Sequence, residues 1–248
     1  MPNLEIIVDT VEDAIAAEKG GANQVVVVSH YPSTGITPSH GLVARIRDKI
    51  KIPMTILIRP NTRSSIPTEE DIETSLIDIE ISKSLGVNDF LLGFIDQFNN
   101  PHTKAIRTIR DHFNGIRIHS NTAWEGSNNL SETIDNLIKA GYRSVRMGGR
   151  NTSNLGFHTD ASRVVVKIGK IKDHIQGRIM LFLTGGITAT NLPYLMMQTH
   201  VYNIQVGRGV RTPNNSFSPV DSNKVSQTNH VLNTLYEEIE RSNSDLNQ

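Results

Sequence analysis

Short apolar runs recur along the chain, each too short to make a helix of its own. Leu4–Val8 (LEIIV), Gln24–Val28 (QVVVV), Met54–Ile58 (MTILI) and Phe90–Gly93 (FLLG) come first. Ile116–His119 (IRIH), Ser144–Met147 (SVRM), Ile179–Leu183 (IMLFL) and Asn203–Val206 (NIQV) follow. Between these runs the spacing changes to three- and four-residue steps, the period of a helix. Val11–Lys19 places Val11, Ala14, Ile15 and Glu18 in this way. Glu69–Leu85 repeats the pattern with Ile72, Leu76, Ile79 and Ile81 and stops at Gly86; Leu130–Ala140 ends at Gly141. A glycine at these ends suits a helix C-cap. Thr37, Pro38 and Ser39 predict the start of a helix through Ile50, with Pro38 at an early helical position.

The pattern predicts eight strands, each followed by a helical segment. Nearly continuous apolar strands that alternate with helices pair in parallel and are buried on both faces. Eight such units in 248 residues fit an α/β fold of the (β/α)8 TIM-barrel type, an eight-stranded parallel barrel whose last strand closes on the first. A doubly wound open sheet is the rival, and it seldom needs eight evenly spaced units. Residues 1–241 form a single barrel domain, and residues 242–248 (SNSDLNQ) read as a polar, flexible tail.

Composition narrows the function classes. Twenty-five basic and 25 acidic residues balance, which predicts no nucleic-acid partner and no attraction to acidic membrane surfaces. No apolar run reaches the roughly 18 residues that a membrane helix needs. The start, MPNLEIIVDT, lacks the basic and long apolar parts of a secretory signal, so a cytoplasmic protein is expected. The absence of cysteine excludes disulfides, thiolate zinc sites and a cysteine nucleophile. A homo-oligomer is compatible with the sequence, which does not specify one.

Barrel enzymes carry their chemistry at the C-terminal ends of the strands. Those positions hold Asp9 after the first strand, Ser29 and His30 after the second, Arg59 after the third and Asp96 after the fourth. His119 ends the fifth strand, with Trp124 and Glu125 in its loop. Arg146 lies on the sixth, before Gly148, Gly149 and Arg150. Thr184, Gly185 and Gly186 follow the seventh strand, and Gly207, Arg208 and Gly209 the eighth. Glu5 lies lower on the first strand and shares the side-chain direction of Ile7 and Asp9.

Several short motifs carry a family resemblance: Leu4-Glu5, GAN at Gly21–Asn23, TGITPS at Thr34–Ser39 and IRP at Ile58–Pro60. LGVNDFLLGFID at Leu85–Asp96, the His119 strand, AGYRSVRMGG at Ala140–Gly149 and GGITATN at Gly185–Asn191 extend it to about Arg211. In order and spacing these motifs resemble the CutC copper-homeostasis family, which implies a (β/α)8 barrel and a link to copper. The resemblance further implies polar site positions at Glu5, Arg59 and His119. It also shows departures. Val26 and Val28 stand where family members carry a glutamate and often a cysteine. NTRSS at Asn61–Ser65 lacks the family's second arginine and aspartate. Ser120 follows His119 where the family has an arginine, with Glu125 as a substitute acid in a longer loop. Ile204, Gln205 and Val206 replace a closing glutamate–histidine pair.

Cu(I) prefers thiolate and thioether ligands. This chain has no cysteine, and its methionines show no Met-x-x-Met cluster; Met196 and Met197 read as one core and one exposed residue of a helix. No metal site is therefore predicted, although Asp9, Asp96 and Glu125 with His30 or His119 leave a hard or borderline ion open. The cofactor is unknown. No lysine lies at a strand end for a Schiff base, and no Gly-x-Ser-x-Gly elbow, Walker A loop or dinucleotide fingerprint occurs.

The glycine turns after the last two strands stand where many barrels hold a phosphate on backbone N–H groups. Gly185, Gly186, Gly207 and Gly209 would leave room for its oxygens, and Arg208 would add charge. Ordinary tight turns are the alternative for these glycines. His119 with Arg59, Glu5 and Asp9 is expected to cluster in the barrel mouth, His119 moving protons and Arg59 holding an anion. A structural ion pair between Glu5 and Arg59 is the plainer alternative for those two. Arg146 and Arg150 either line the same mouth or are solvated. Two functions stay open: a copper-homeostasis protein acting as a binding or regulatory component, and an isomerase- or lyase-type enzyme acting on a small phosphorylated or anionic substrate. A barrel that only binds a partner is a third.

Overall fold

Strands β1 (Asn3–Val8), β2 (Gln24–Val27), β3 (Met54–Ile58), β4 (Asp89–Leu92), β5 (Arg117–Ser120), β6 (Ser144–Met147), β7 (Met180–Leu183) and β8 (Asn203–Val206) pair in parallel with their chain neighbours. β8 returns to β1, matching Gln205 with Glu5, and the barrel closes. The structure is a computed structural model and describes residues 1–148 and 161–245. Helices α1 (Val11–Lys19), α2 (His40–Lys49), α3 (Glu69–Ser84), α4 (Thr103–His112), α5 (Leu130–Lys139), α6 (Ala161–Ile175), α7 (Leu192–Thr199) and α8 (Ser222–Asp245) follow the strands in turn. All eight expected strands are present, displaced by at most one residue at an end. α8 takes in Ser242–Asp245, the first residues of the expected tail.

The two-residue strand period divides the side chains between two cores. Leu4, Ile6, Val8, Val25, Val27, Ile56, Ile58, Phe90 and Leu92 point outward and pack in one cluster with the helices. Val26, Val28, Leu57 and Leu91 point inward and form a second cluster, with Ile7 and Tyr31 against it. This inner cluster fills the upper barrel on the β1–β4 side with hydrocarbon. Apart from Phe182, the buried inward side chains of β5–β8 are polar: His119, Ser144, Arg146 and Gln205.

Two loops are fixed by side chains near the ends of the strands. Ser39, not a residue before it, caps α2, its side chain accepting from the Leu42 N–H at 3.2 Å. Pro38 therefore precedes the helix, contrary to the expectation from sequence. Thr37 is held by Arg59, whose N–H donates to the Thr37 hydroxyl at 2.9 Å and whose carbonyl accepts the Thr37 N–H. Beyond β8, the buried guanidinium of Arg211 ties the chain back to the start of α1. Its Nη2 lies 3.0 Å from Asp9 Oδ1 and its Nη1 lies 3.0 Å from Asp13 Oδ2. Asp13 also accepts the Val220 N–H at 2.7 Å, so the β8–α8 loop is fixed at both ends.

Candidate functional site

Glu5, on the inner face of β1, has no solvent exposure. Arg146, reaching in from β6, meets its Oε2 with Nη2 at 2.6 Å and its Oε1 with Nη2 at 2.9 Å and Nε at 3.1 Å. Gln205 donates to Oε1 and Gln24 to Oε2, each at 2.7 Å. Buried charge is tolerated when it is paired and its remaining lone pairs are satisfied, and both conditions hold here. The Arg146 guanidinium also stacks on Phe182, 4.7 Å from the ring centroid.

The network continues toward the base of the barrel. Arg146 Nη1 donates to Ser144 Oγ at 2.7 Å, Ser144 Oγ lies 2.7 Å from His119 Nδ1, and His119 Nε2 lies 3.0 Å from Asp89 Oδ1. Asp89 is gripped in addition by the partly exposed guanidinium of Arg117. Burial pushes the Asp89 carboxyl up, but hydrogen bonds from His119 and Arg117 outweigh it and bring its pKa to about 2. An ionised carboxylate only accepts, so His119 carries its proton on Nε2 and accepts the Ser144 hydroxyl at Nδ1. Burial lowers the His119 pKa, against the opposing pull of Asp89, and the ring is neutral at neutral pH.

The expected cluster at the mouth is not assembled. Leu91 is the register partner of His119, and Asp89 lies two residues nearer the N-terminal end of β4. The imidazole therefore leans toward the base. Glu5 takes Arg146 as its ion-pair partner, and Arg59 sits a strand end away. Arg59 Nη1 donates to Thr34 Oγ1 at 2.8 Å and to the Gly35 carbonyl at 3.1 Å, pinning the β2–α2 loop. Asp9 is drawn to Arg211. Arg146 is neither solvated nor at the mouth, being 1% exposed inside the barrel. Gly149 and Arg150 lie outside the described residues.

The turns after β7 and β8 do form part of the mouth. Gly185 and Gly186 are both left-handed, with φ of +85° and +77°. Side chains other than glycine rarely adopt this conformation. Among the described residues no backbone carbonyl accepts from either N–H. Thr184, just before them, donates to Gln205 Oε1 at 2.8 Å and so joins the turn to the Glu5 network. Gly207 and Gly209 answer to packing. A Cβ on Gly207 would come within 1.8 Å of the Tyr31 hydroxyl, and one on Gly209 within 1.9 Å of the Ile187 carbonyl oxygen. Burial raises the Tyr31 phenol above its ordinary pKa, against the pull of Arg211 and Arg208, and the Arg208 backbone hydrogen-bonds it. Arg208 itself is exposed. Gly185 is exposed and Gly186 partly exposed, and the packing that explains Gly207 and Gly209 does not account for Gly185.

The acids considered for a metal are engaged separately. Asp96 Oδ1 accepts the N–H groups of Phe98 and Asn100 at 2.8 and 2.9 Å, Glu125 accepts the Gly148 N–H at 2.8 Å, and His30 is exposed on the β2–α2 loop. Among the described residues no three histidine, cysteine, aspartate or glutamate side chains gather as a metal site. The donors also do not suit Cu(I): cysteine is absent, Met147 and Met196 are buried in the outer core, and Met197 is exposed.

Sequence reasoning missed Asp89, Ser144, Tyr31 and Arg211. A signal existed for the first two. The strand period places Asp89 with Leu91, and Ser144 with Arg146, on inward faces, where a charged or polar residue must find a buried partner. Tyr31 and Arg211 lie in loops, where no period applies.

Comparison with known proteins agrees with this architecture. The family model for CutC matches residues 2–210. A CutC family protein of Xylella fastidiosa is 27% identical over 197 residues, covering 79% of this chain and 71% of its own length. The human copper homeostasis protein cutC homolog is 24% identical, covering 78% and 68%. Among solved structures, CutC from Streptococcus agalactiae superposes with a TM-score of 0.76 at 20% identity, over 83% of this chain and 98% of that one. Phosphoribosylanthranilate isomerase from Thermotoga maritima gives 0.62 at 13% identity, over 94% and 100%, a likeness of fold. With the family model covering most of its length, this chain belongs to the CutC family.

Proposed function

We propose that this CutC-family chain serves copper homeostasis by binding a small anionic or phosphorylated molecule at the β7 turn, without itself coordinating Cu(I). The observation that carries the reading is the pair of consecutive left-handed glycines, Gly185 and Gly186, whose N–H groups have no backbone acceptor among the described residues. Successive N–H groups in such a turn make a concave site for an anion. The exposed Arg208, on the β8 turn packed against Ile187 through Gly209, supplies positive charge. An isomerase or lyase acting at the same mouth would need a proton-moving group other than His119, which is turned to the base.

Calorimetric titration of the metal-free protein with inorganic phosphate, a sugar phosphate, Cu(I) and Cu(II) tests the reading. Saturable phosphate binding, abolished in Gly186→Asp and weakened in Arg208→Ala, is expected. One-to-one Cu(I) binding without any anion binding would contradict it.

A further inference from the structure

We propose that His119 is a pH-sensitive pivot through which the base of the barrel controls the packing beneath its mouth. This goes beyond the anion-binding reading and stands whatever the mouth binds. Polar contacts run without a break from one end of the barrel to the other. Arg117 holds Asp89, Asp89 holds His119, His119 meets Ser144, and Ser144 meets Arg146. From Arg146 two arms climb to the mouth. One passes through Glu5 and Gln205 to Thr184, the residue before Gly185. The other starts at the Arg146 carbonyl, which accepts the indole N–H of Trp124 at 3.1 Å; the adjoining Glu125 accepts the Gly148 N–H.

Ser144 Oγ is the junction that protonation upsets. With His119 neutral, the Ser144 hydroxyl donates to Nδ1 and accepts from Arg146 Nη1. When Nδ1 gains a proton it becomes a donor. Ser144 Oγ then faces two donors, and its own hydrogen loses its acceptor. The charged groups facing His119 are Asp89 from β4, Arg146 from β6 and Glu5 from β1, with Arg117 of its own strand behind Asp89. Asp89 welcomes the imidazolium, while Arg146, sharing Ser144 Oγ with it, repels it. The displacement therefore falls on the Arg146 guanidinium, which holds Glu5 and belongs to the residue whose carbonyl holds Trp124.

Trp124 is the chain's single tryptophan and is fully buried, so its emission reports on the Arg146 carbonyl. The intact protein is titrated from about pH 8 downward to the point where its far-UV circular dichroism is lost, within the range where histidine changes charge. A reversible emission change with one midpoint below about 6.5, the ordinary histidine value, is expected. It disappears in His119→Gln and in Ser144→Ala, which cuts His119 from Arg146. In Asp89→Asn, a second variant that keeps the side-chain volume and both hydrogen-bond partners in reach, the midpoint falls by about one pH unit or more, because the carboxylate that favoured the cation is gone. Constant wild-type emission while the dichroism is retained, a change that persists in His119→Gln, or an unmoved midpoint in Asp89→Asn would each overturn the proposal.

Discussion

Glu5 and Arg146 meet inside the barrel through three hydrogen bonds of 2.6 to 3.1 Å, with the two side chains 0% and 1% exposed. One comes from β1 and the other from β6, so the pair ties together strands that are not neighbours in the sheet. Removing one partner leaves the other charge buried and uncompensated, which costs about 3–5 kcal/mol. Arg146→Met is expected to lose stability of that order in urea unfolding. The double variant Glu5→Leu/Arg146→Met is expected to recover much of it, since no charge is then left without a partner.

Acid stability provides a second test. The folded pKa of Asp89, about 2, lies below its unfolded value of 3.8. The stabilisation is present above the unfolded value and is lost as pH falls from about 4 to about 2. For a shift of this size it amounts to roughly 2 kcal/mol. Wild-type stability should fall across that window, and the fall should be shallower in Asp89→Asn. His119 acts at higher pH. Its folded pKa is depressed, so its stabilisation is present above its unfolded value near 6.5 and erodes as pH drops below it. Urea unfolding at a series of pH values separates the two steps.

How much of this was legible before folding depends on the residue. The eight strands followed from runs such as MTILI and QVVVV, whose inner and outer faces are both buried. His119 was also found, as the polar end of an apolar run, but its direction was not. That direction depends on the stagger between β4 and β5 and on Asp89 standing two residues below its register partner, neither of which a single strand records. Likewise Arg59 and Glu5 sit on inward faces, yet only the closed barrel brings Arg146 to Glu5 and leaves Arg59 at the β2–α2 loop. The glycine turns were read from their place after the last two strands. Their division into packed and exposed groups required Tyr31, whose loop shows no periodicity.

Tyr31 and Gly207 should therefore be coupled. The Gly207 Cβ position lies 1.8 Å from the Tyr31 hydroxyl and 2.6 Å from its Cζ. Gly207→Ala is expected to destabilise the protein by about 1–3 kcal/mol, the usual cost of overpacking. In a Tyr31→Ala background the same substitution should cost clearly less, and thermal unfolding of the four proteins in the cycle measures the difference.

Arg211 makes a parallel case at the rim. Its guanidinium, 2% exposed, compensates Asp9 and the buried Asp13, whose carboxyl burial already pushes above the usual range. Arg211→Met should release the β8–α8 loop, seen as faster cleavage there by a nonspecific protease, together with a loss of stability. Unchanged cleavage would show that the loop is held by its backbone alone.

The anion-binding reading rests on two backbone amides, and these can be observed directly. In the amide proton–nitrogen spectrum of the uniformly nitrogen-15-labelled protein, inorganic phosphate should shift the Gly185 and Gly186 signals saturably, in step with each other, and the shifts should be absent in Gly186→Asp. If both signals stay in place up to phosphate concentrations well above those of a cell, the turn is plain strand-to-helix geometry and the proposed site does not exist.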